Sequence, residues 1–321
     1  MAFLRRFTIR SNWVNQLSEA TFASDANALH SPLNRPKLIL NFIALLSASV
    51  RVCADGGGNR LLSTFRTEVY DGRLPLPNAI VGDLDSLSIK ARSWYAQRGV
   101  EIAFRPGQYA TDLQKSIQWV EDWENEGGNQ LRRDLPMGQL ELVIFGGLGG
   151  RLDQTAHTLH VLWKLTPGLA AAGGYEDPDL DIENASRKRG GQVEKRRRTY
   201  VVGDGSLVFL LPPGGHRLFH PRPILGEACG ILPFGVQSNV GEDPSQRTGA
   251  NVTTRGLEWD VTPDTPQSIG GYLSTSNHVV GIQDGQSSDV STSLLVEVVT
   301  DEPIYWSVEL TSSGPSESDA E

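Results

Sequence analysis

The sequence is poor in cysteine, and its two cysteines, Cys53 and Cys229, lie far apart along a chain of 321 residues. Two distant thiols supply neither a disulfide framework nor a zinc ligand set, so we expect a reducing, cytoplasmic location. Long apolar runs are also missing. The longest one, Leu38–Val50, is too short and too polar to span a bilayer, and we expect no membrane partner.

Basic charge is not in excess either. The formal net charge of −9 argues against nucleic acid as the main partner, although it is compatible with a small cationic substrate. The start of the chain is the exception, because Arg5, Arg6 and Arg10 precede the first acidic residue, Glu19. An irregular extension is the favoured interpretation of this stretch, and a mitochondrial targeting peptide is the alternative.

The first half of the chain alternates short apolar runs with amphipathic stretches. Strands are predicted at Arg51–Ala54, Ala79–Val81, Val100–Phe104 and Leu140–Phe145. Helices are predicted at Lys37–Ser49, Asn59–Phe65, Ile89–Arg98, Leu113–Glu124 and Thr155–Leu165. Such alternation predicts a parallel, Rossmann-like α/β sheet with helices on both faces.

The composition changes after Pro167. Residues 168–198 are polar, rich in Gly and Arg, and predict a linker, whereas short strands separated by turn residues follow from Thr199. Two of these strands are expected at Gly256–Trp259 and His278–Ile282. The predicted organisation is an irregular extension (1–25), an α/β catalytic domain (26–166), a flexible linker or insertion (167–199), an all-β sandwich (200–311) and a disordered tail (312–321).

Acidic residues follow successive predicted strands. Asp55 ends the first, Asp83 and Asp85 follow the second, Asp112 follows the third, and Arg151 and Asp153 follow the fourth after a glycine run. The carboxyl ends of parallel strands share one edge of the sheet, where ligands bind. Carboxylates there suit Mg²⁺, while an arginine and glycine-loop amides suit phosphate. Each motif alone also fits an ordinary turn or helix cap; their repetition at one edge favours a site.

In sequence order these motifs resemble the thiamine pyrophosphokinase (thiamin diphosphokinase) family, particularly its fungal members. The segments that carry the resemblance are Val52–Leu61, Val81–Leu87, Thr111–Lys115, Gly146–Gln154, Gly203–Gly214, Gly256–Asp260 and Leu273–Asn277. The resemblance implies an α/β catalytic domain followed by a thiamine-binding β-sandwich. It also implies an enzyme that transfers the pyrophosphoryl group of ATP to the hydroxyl of thiamine with Mg²⁺, giving thiamine diphosphate and AMP. The expected assembly is a homodimer whose site is shared across the interface.

The same resemblance assigns roles to residues of this sequence. The implied metal ligands are Asp55, Asp83, Asp85 and Asp112, and the implied catalytic residues are Asp83, Asp85, Asp112 and Asp153. The implied ATP contacts are Asp55, Gly56, Gly57, Asn59, Thr111, Lys115, Gly149 and Arg151. The implied thiamine contacts are Gln108, Trp259, Ser274, Ser276 and Asn277. An aromatic face such as Trp259 suits a flat thiazolium cation, but a strand tryptophan is usually part of a sandwich core, and without the resemblance the core interpretation is favoured.

Two departures from the family pattern leave alternatives open. The expected first strand is interrupted by Pro32 and Pro36, and Gly107 stands where the family usually has an aspartate. A degenerate paralogue that binds nucleotide or thiamine without turnover is one alternative. A related Mg²⁺-dependent phosphotransferase with another acceptor is the other, because fold does not fix function.

Overall fold

A computed structural model describes residues 50–64, 75–126, 141–167, 197–203, 205–222, 224–236, 248–282 and 293–310, with residues 48, 72 and 169. These residues form two compact units, one of residues 48–126 and the other of residues 141–169 and 197–310. The predicted extension, the interrupted first strand, most of the helix at Lys37–Ser49, most of the linker and the tail lie outside the described residues. None of the described helices combines the length and hydrophobicity needed to cross a membrane.

The first unit is built on a parallel sheet of three strands. In chain order its elements are β1 (Val52–Ala54), α1 (Gly57–Thr64), β2 (Ala79–Gly82), α2 (Ile89–Ala96), β3 (Glu101–Phe104) and α3 (Asp112–Glu126). The sheet order is β1-β2-β3, and β2 pairs in parallel with both neighbours. All four residues of the central strand are buried, because neighbours or helices cover both of its edges and both of its faces.

Alternate residues of β2 face different helices. Ala79 and Val81 pack with Trp119 and Val120 of α3 on one face. Ile80 packs on the other face with a cluster that includes Ala91 and Tyr95 of α2 and Leu62 of α1. The period-2 alternation of a strand therefore produces the predicted arrangement, a parallel sheet with helices on both faces.

Local capping explains where two helices begin. The hydroxyl of Ser88 accepts a hydrogen bond from the N–H of Ala91 at the start of α2. At the start of α3, Thr111 Oγ1 accepts from the N–H of Gln114 and the Gln114 side-chain carbonyl accepts from the N–H of Thr111. This reciprocal capping box fixes Asp112 in the first turn of α3.

The second unit is rich in β-structure. Its elements are β4 (Leu142–Phe145), α4 (Leu152–Leu165), β5 (Thr199–Gly203), β6 (Ser206–Leu211), β7 (Gly214–Pro221), β8 (Leu225–Leu232), β9 (Val252–Arg255), β10 (Ser274–His278), β11 (Ser293–Thr300) and β12 (Ile304–Leu310). One sheet has the order β10-β8-β12-β6-β5-β4 and another has the order β7-β11-β9. An α/β part followed by a β-rich C-terminal part is therefore confirmed.

Three details of the second unit differ from the sequence predictions. Among the described strands β4 pairs in parallel with β5, rather than with β1–β3. The strand predicted at Gly256–Trp259 lies earlier, at β9, because Gly256 adopts φ 99° and the chain turns there. The strand predicted at His278–Ile282 also lies earlier in the chain than predicted, because the observed strand β10 ends at His278. The predicted domain boundaries stay a prediction.

Candidate active site

Asp55 is the most buried acidic group at the carboxyl edge of the parallel sheet. It follows β1 directly, its N–H donates to the carbonyl of Val81 at 2.9 Å, and it is only 2% exposed. Its φ of 36° lies in the left-handed region, which costs a non-glycine residue about 1–3 kcal/mol. This strained turn directs the carboxylate back over the end of β2 instead of outward to solvent.

Gly82 makes room for that carboxylate at the end of β2. A Cβ added at Gly82 would lie 2.8 Å from Asp55 Cβ and 2.9 Å from Asp112 Oδ1. Both distances are shorter than ordinary van der Waals contacts, so a side chain here would force these aspartates or the backbone at Gly82 to shift. Asp83 follows immediately, and its N–H donates to Asp112 Oδ1 at 3.4 Å.

Three carboxylates converge at this point. Asp55, Asp83 and Asp112 each offer one oxygen, and these oxygens lie within 4.8 Å of one another. Asp55 Oδ2 accepts the N–H of Ser86 at 3.0 Å, whereas Asp55 Oδ1 is buried and has no hydrogen-bond partner. An unpartnered, buried carboxylate oxygen is costly and points to a ligand that it would bind.

Burial is the main reason why the pKa of Asp55 is raised; the negative charges of Asp112 and Asp85 act in the same direction, and the Ser86 N–H opposes them. A cation placed among the three carboxylates would remove this penalty. The oxygen-only donor set, the spacing and the unpartnered oxygen therefore fit a hard divalent cation.

Lys115 supplies one positive charge within the cluster. Its side chain is buried, and its ammonium lies 3.1 Å from Asp112 Oδ1 and 3.5 Å from Asp83 Oδ2. Although desolvation raises the pKa of Asp83, the N–H of Asp85 and the charge of Lys115 outweigh it and lower that pKa. One ammonium cannot neutralise three carboxylates, so the cluster keeps an excess of negative charge.

The other predicted residues of this edge surround the cluster. Asp85 is exposed and outside the group of converging oxygens; its N–H donates to Asp83 Oδ1, and its carboxylate accepts from Ser86 Oγ. Asn59 donates to the carbonyl of Ser86 and accepts from the N–H and hydroxyl of Ser88. The Asn59 side chain therefore ties α1 to the loop after β2.

Three more positions that were predicted to belong to the site lie in the first unit. Gly56 and Gly57 lie at the start of α1, and a Cβ at Gly56 would lie 3.3 Å from Ser86 Cβ. The turn between Asp55 and α1 is therefore closely packed against the loop after β2. Gln108 is exposed, and its side-chain amide donates to the carbonyl of Pro106.

The glycine run after β4 belongs to the second unit. Gly146, Gly149 and Gly150 all have positive φ, a conformation that glycine adopts without a steric penalty. Arg151 and Asp153 follow at the start of α4, where both side chains are exposed and bind each other through two hydrogen bonds. The hydrogen bonds to Asp153 are the main reason why the pKa of the Arg151 guanidinium is raised. The hydrogen bonds from Arg151 are likewise the main reason why the pKa of the Asp153 carboxyl is lowered.

Trp259 is not a core residue. It lies in the turn after β9 and its side chain is 57% exposed. Asp260 shapes this turn, because its Oδ1 accepts the N–H of Leu257 and the hydroxyl of Thr254. The core interpretation of this tryptophan is therefore excluded, and its ring is available to a ligand.

Asn277 ties this turn to β10. Its side chain is 3% exposed and uses all of its polar groups within the protein. Oδ1 accepts the N–H groups of Trp259 and His278, while Nδ2 donates to the carbonyl of Trp259 and to Ser274 Oγ. Ser276 is exposed and has a positive φ of 54°. The structure thus brings Trp259, Ser274 and Asn277 together, with Asn277 as their buried link.

Sequence reasoning missed Gly82 and the N–H of Ser86 as parts of the carboxylate cluster. The signal for Gly82 was its position directly before Asp83 at a strand end. It also missed Glu258 and His278 beside Trp259. Their hydrogen bond joins residues 20 positions apart, which no local pattern shows.

Comparisons with known proteins identify the family to which the chain is similar. The model described as "Thiamin pyrophosphokinase, catalytic domain" matches residues 44–170, and "Thiamin pyrophosphokinase, vitamin B1 binding domain" matches residues 244–293. Thiamine pyrophosphokinase 3 of Oryza sativa subsp. japonica is 30% identical over 274 residues, which cover 82% of this chain and 79% of that relative. Thiamine pyrophosphokinase of Saccharomyces cerevisiae is 27% identical over 266 residues, 72% of each chain.

Solved structures show the same fold. The crystal structure of yeast thiamin pyrophosphokinase superposes with a TM-score of 0.60 at 25% identity, covering 88% of this chain and 83% of that chain. Thiamin pyrophosphokinase from Candida albicans superposes with a TM-score of 0.57 at 20% identity, covering 84% of each chain. The carboxylate cluster falls within the first matched range, and Trp259 and Asn277 fall within the second.

Proposed function

The chain belongs to the thiamin pyrophosphokinase family, and from this premise we propose that it is an ATP:thiamine diphosphotransferase. It transfers the pyrophosphoryl group of ATP to the hydroxyl of thiamine, giving thiamine diphosphate and AMP. The observation that carries the proposal is the convergence of Asp55, Asp83 and Asp112 within 4.8 Å, with one buried oxygen of Asp55 unpartnered.

Asp55, Asp83 and Asp112 would hold Mg²⁺, with exposed Asp85 beside them. When bound, the ion supplies neutralisation of the triphosphate charge that a phosphoryl transfer requires. Lys115 keeps Asp83 and Asp112 oriented and adds a fixed positive charge to the phosphate site. The amides at the start of α1 and the exposed Arg151 offer donors to further phosphate oxygens.

The proposed reaction is a displacement at the β-phosphorus of ATP, in which a carboxylate acts on the attacking hydroxyl. The thiamine hydroxyl oxygen forms a bond to the β-phosphorus, and the bond from that phosphorus to the oxygen bridging to the α-phosphate breaks, so AMP leaves. An aspartate among Asp83, Asp85 and Asp112 orients the hydroxyl and accepts its proton. Asp153 remains a proposed member of the site through its pairing with Arg151.

Thiamine is proposed to bind against Trp259, because an exposed indole face attracts a flat cationic ring. Ser274, Ser276 and Gln108 offer polar groups for its pyrimidine ring. Asn277 contributes indirectly, since its amide holds the Trp259 backbone in place. This assignment makes Asn277 a residue that shapes the site and leaves substrate contact to its neighbours.

We also propose a homodimer with the site shared between subunits. The chain segment that follows Trp259 exposes several further large apolar side chains, namely Ile269, Tyr272, Leu273 and Val280. Such a concentration is typical of a surface that another protein covers. A Rossmann-like catalytic domain, a thiamine-binding sandwich and a cytoplasmic location complete the proposal.

The test is AMP formation by the purified chain with ATP, thiamine and Mg²⁺, measured with a coupled assay. AMP formation that requires both thiamine and Mg²⁺ is the expected result. Calorimetric binding of both substrates without AMP would favour the degenerate relative. A clear preference for another alcohol in an acceptor panel would favour the related phosphotransferase.

A further inference from the structure

Hydrogen bonds hold the backbone of Trp259, but these bonds do not constrain its ring. Both the N–H and the carbonyl of Trp259 bind the buried amide of Asn277. The indole itself projects from the turn and is mostly exposed. With these bonds alone, an exposed tryptophan ring would keep rotamer freedom, and binding of a flat ligand would have to remove it.

A neighbouring aromatic side chain contacts that ring. The imidazole of His278 lies beside the indole, with ring centroids 5.5 Å apart and ring planes tilted by 40°. This separation lies in the range in which aromatic rings attract each other. His278 occupies the last position of β10, directly after Asn277, so the same strand end that fixes the Trp259 backbone also supports its ring.

Glu258 in turn holds His278. His278 Nδ1–H donates to Glu258 Oε2 at 2.8 Å, since an ionised carboxylate can only accept. The N–H of Glu258 also donates to the carbonyl of His278 at 2.8 Å. Residues 258 and 278 are thus joined through both backbone and side chain, and this limits the positions that the imidazole can take.

We propose that His278, held by Glu258, is a positioning residue that fixes the Trp259 ring for the acceptor and so sets the affinity for thiamine. The inference rests on the proposed function and adds to it a specificity element outside the carboxylate site. The ordering of the indole is then already complete in the free protein, and binding does not have to supply it. The effect belongs to acceptor binding and leaves the chemistry at the aspartates unchanged.

The test is steady-state kinetics of His278→Ala, with the thiamine dissociation constant measured separately by calorimetry. Loss of one positioned side chain is expected to raise the KM and the dissociation constant for thiamine about 3- to 10-fold. The KM for ATP, kcat and the melting temperature are expected to stay at wild-type values, because His278 and Glu258 are partly exposed. Glu258→Ala is expected to behave like His278→Ala.

Two conservative variants separate positioning from other effects. Glu258→Gln keeps an oxygen that accepts from Nδ1–H, so it is expected to remain within about 2-fold of wild-type thiamine affinity. His278→Phe keeps a ring beside the indole but loses the bond to Glu258, so its thiamine affinity is expected to lie between those of the wild type and His278→Ala. His160→Ala is the matched control, since it removes an exposed histidine ring beside His157 in the same unit. It is expected to leave all constants unchanged.

Wild-type thiamine affinity in His278→Ala would overturn the inference, as would an equal loss for ATP and thiamine. Failure of the proposed function would look different, because the wild-type protein would then form no AMP. Failure of the Trp259 assignment alone would also be distinct. In that case Trp259→Ala would bind thiamine normally while the wild-type enzyme turned over.

Discussion

Replacing Gly82 by alanine tests how closely the carboxylates must approach. The new methyl group would lie 2.8 Å from Asp55 Cβ and 2.9 Å from Asp112 Oδ1, and Asp55 is too buried to move into solvent. Overpacking of this kind costs about 1–3 kcal/mol. Gly→Ala at a permissive site would instead stabilise by about 0.4–1 kcal/mol, so a net loss reports the overlap itself.

The effect of Gly82→Ala on activity should exceed its effect on stability. A displacement of about 1 Å at a reacting centre lowers rates by about 100-fold, so we expect AMP formation to fall by that order and the Mg²⁺ requirement to rise. Urea unfolding gives the stability change, and AMP release across a Mg²⁺ titration gives the functional change.

Gly215→Ala is the matched control, because its added Cβ meets only Val299 Cγ2 at 3.9 Å, an ordinary contact in the second unit. We expect this control to keep wild-type activity and equal or slightly higher stability. Wild-type stability together with wild-type Mg²⁺-dependent turnover in Gly82→Ala would refute the close packing of Asp55 and Asp112 as a requirement of the site.

Three further predictions concern other parts of the chain. Trp259→Ala should raise the KM for thiamine about 10-fold without changing the KM for ATP, as expected for a lost cation–π contact; equal affinity would remove Trp259 from the site. Thr111→Ala should lower the free energy of unfolding by about 1 kcal/mol in urea, because the capping box at α3 is lost; an unchanged midpoint would contradict the cap. Burial is the main cause that lowers the pKa of His220 to about 4. As the pH falls from 6.5 to 4, the unfolded chain therefore takes up a proton at this residue that the folded chain does not take up. The free energy of unfolding should fall by about 3 kcal/mol over this range. His220→Gln should flatten that slope, and an identical slope in the variant would exclude this histidine as its source.

The local order of the first unit could be predicted because each element is marked by nearby residues. Ser88 is a fair N-cap immediately before the predicted helix Ile89–Arg98, and the structure shows its hydroxyl in that role. The convergence of Asp55, Asp83 and Asp112 followed from a general property of parallel sheets, whose carboxyl strand ends share an edge. The roles of individual residues beyond that convergence remain proposals.

What the sequence could not supply depends on distances between remote residues. The close approach at Gly82 requires knowing that Asp55 and Asp112 both face it, and the position of the Lys115 ammonium requires knowing where α3 packs. Periodicity placed a strand at Gly256–Trp259 because the apolar residues alternate there. Periodicity could not show that Gly256 turns the chain or that Asp260 accepts a hydrogen bond from the N–H of Leu257.

The most direct test of the central claim is Asp83→Asn in the AMP assay. The substitution keeps the shape of the side chain and removes the charge that the metal site requires. We predict that AMP formation falls at least about 100-fold and that the remaining activity needs more Mg²⁺, while the urea midpoint changes little. Full activity of Asp83→Asn at the wild-type Mg²⁺ concentration would contradict the assignment of the metal site to this cluster.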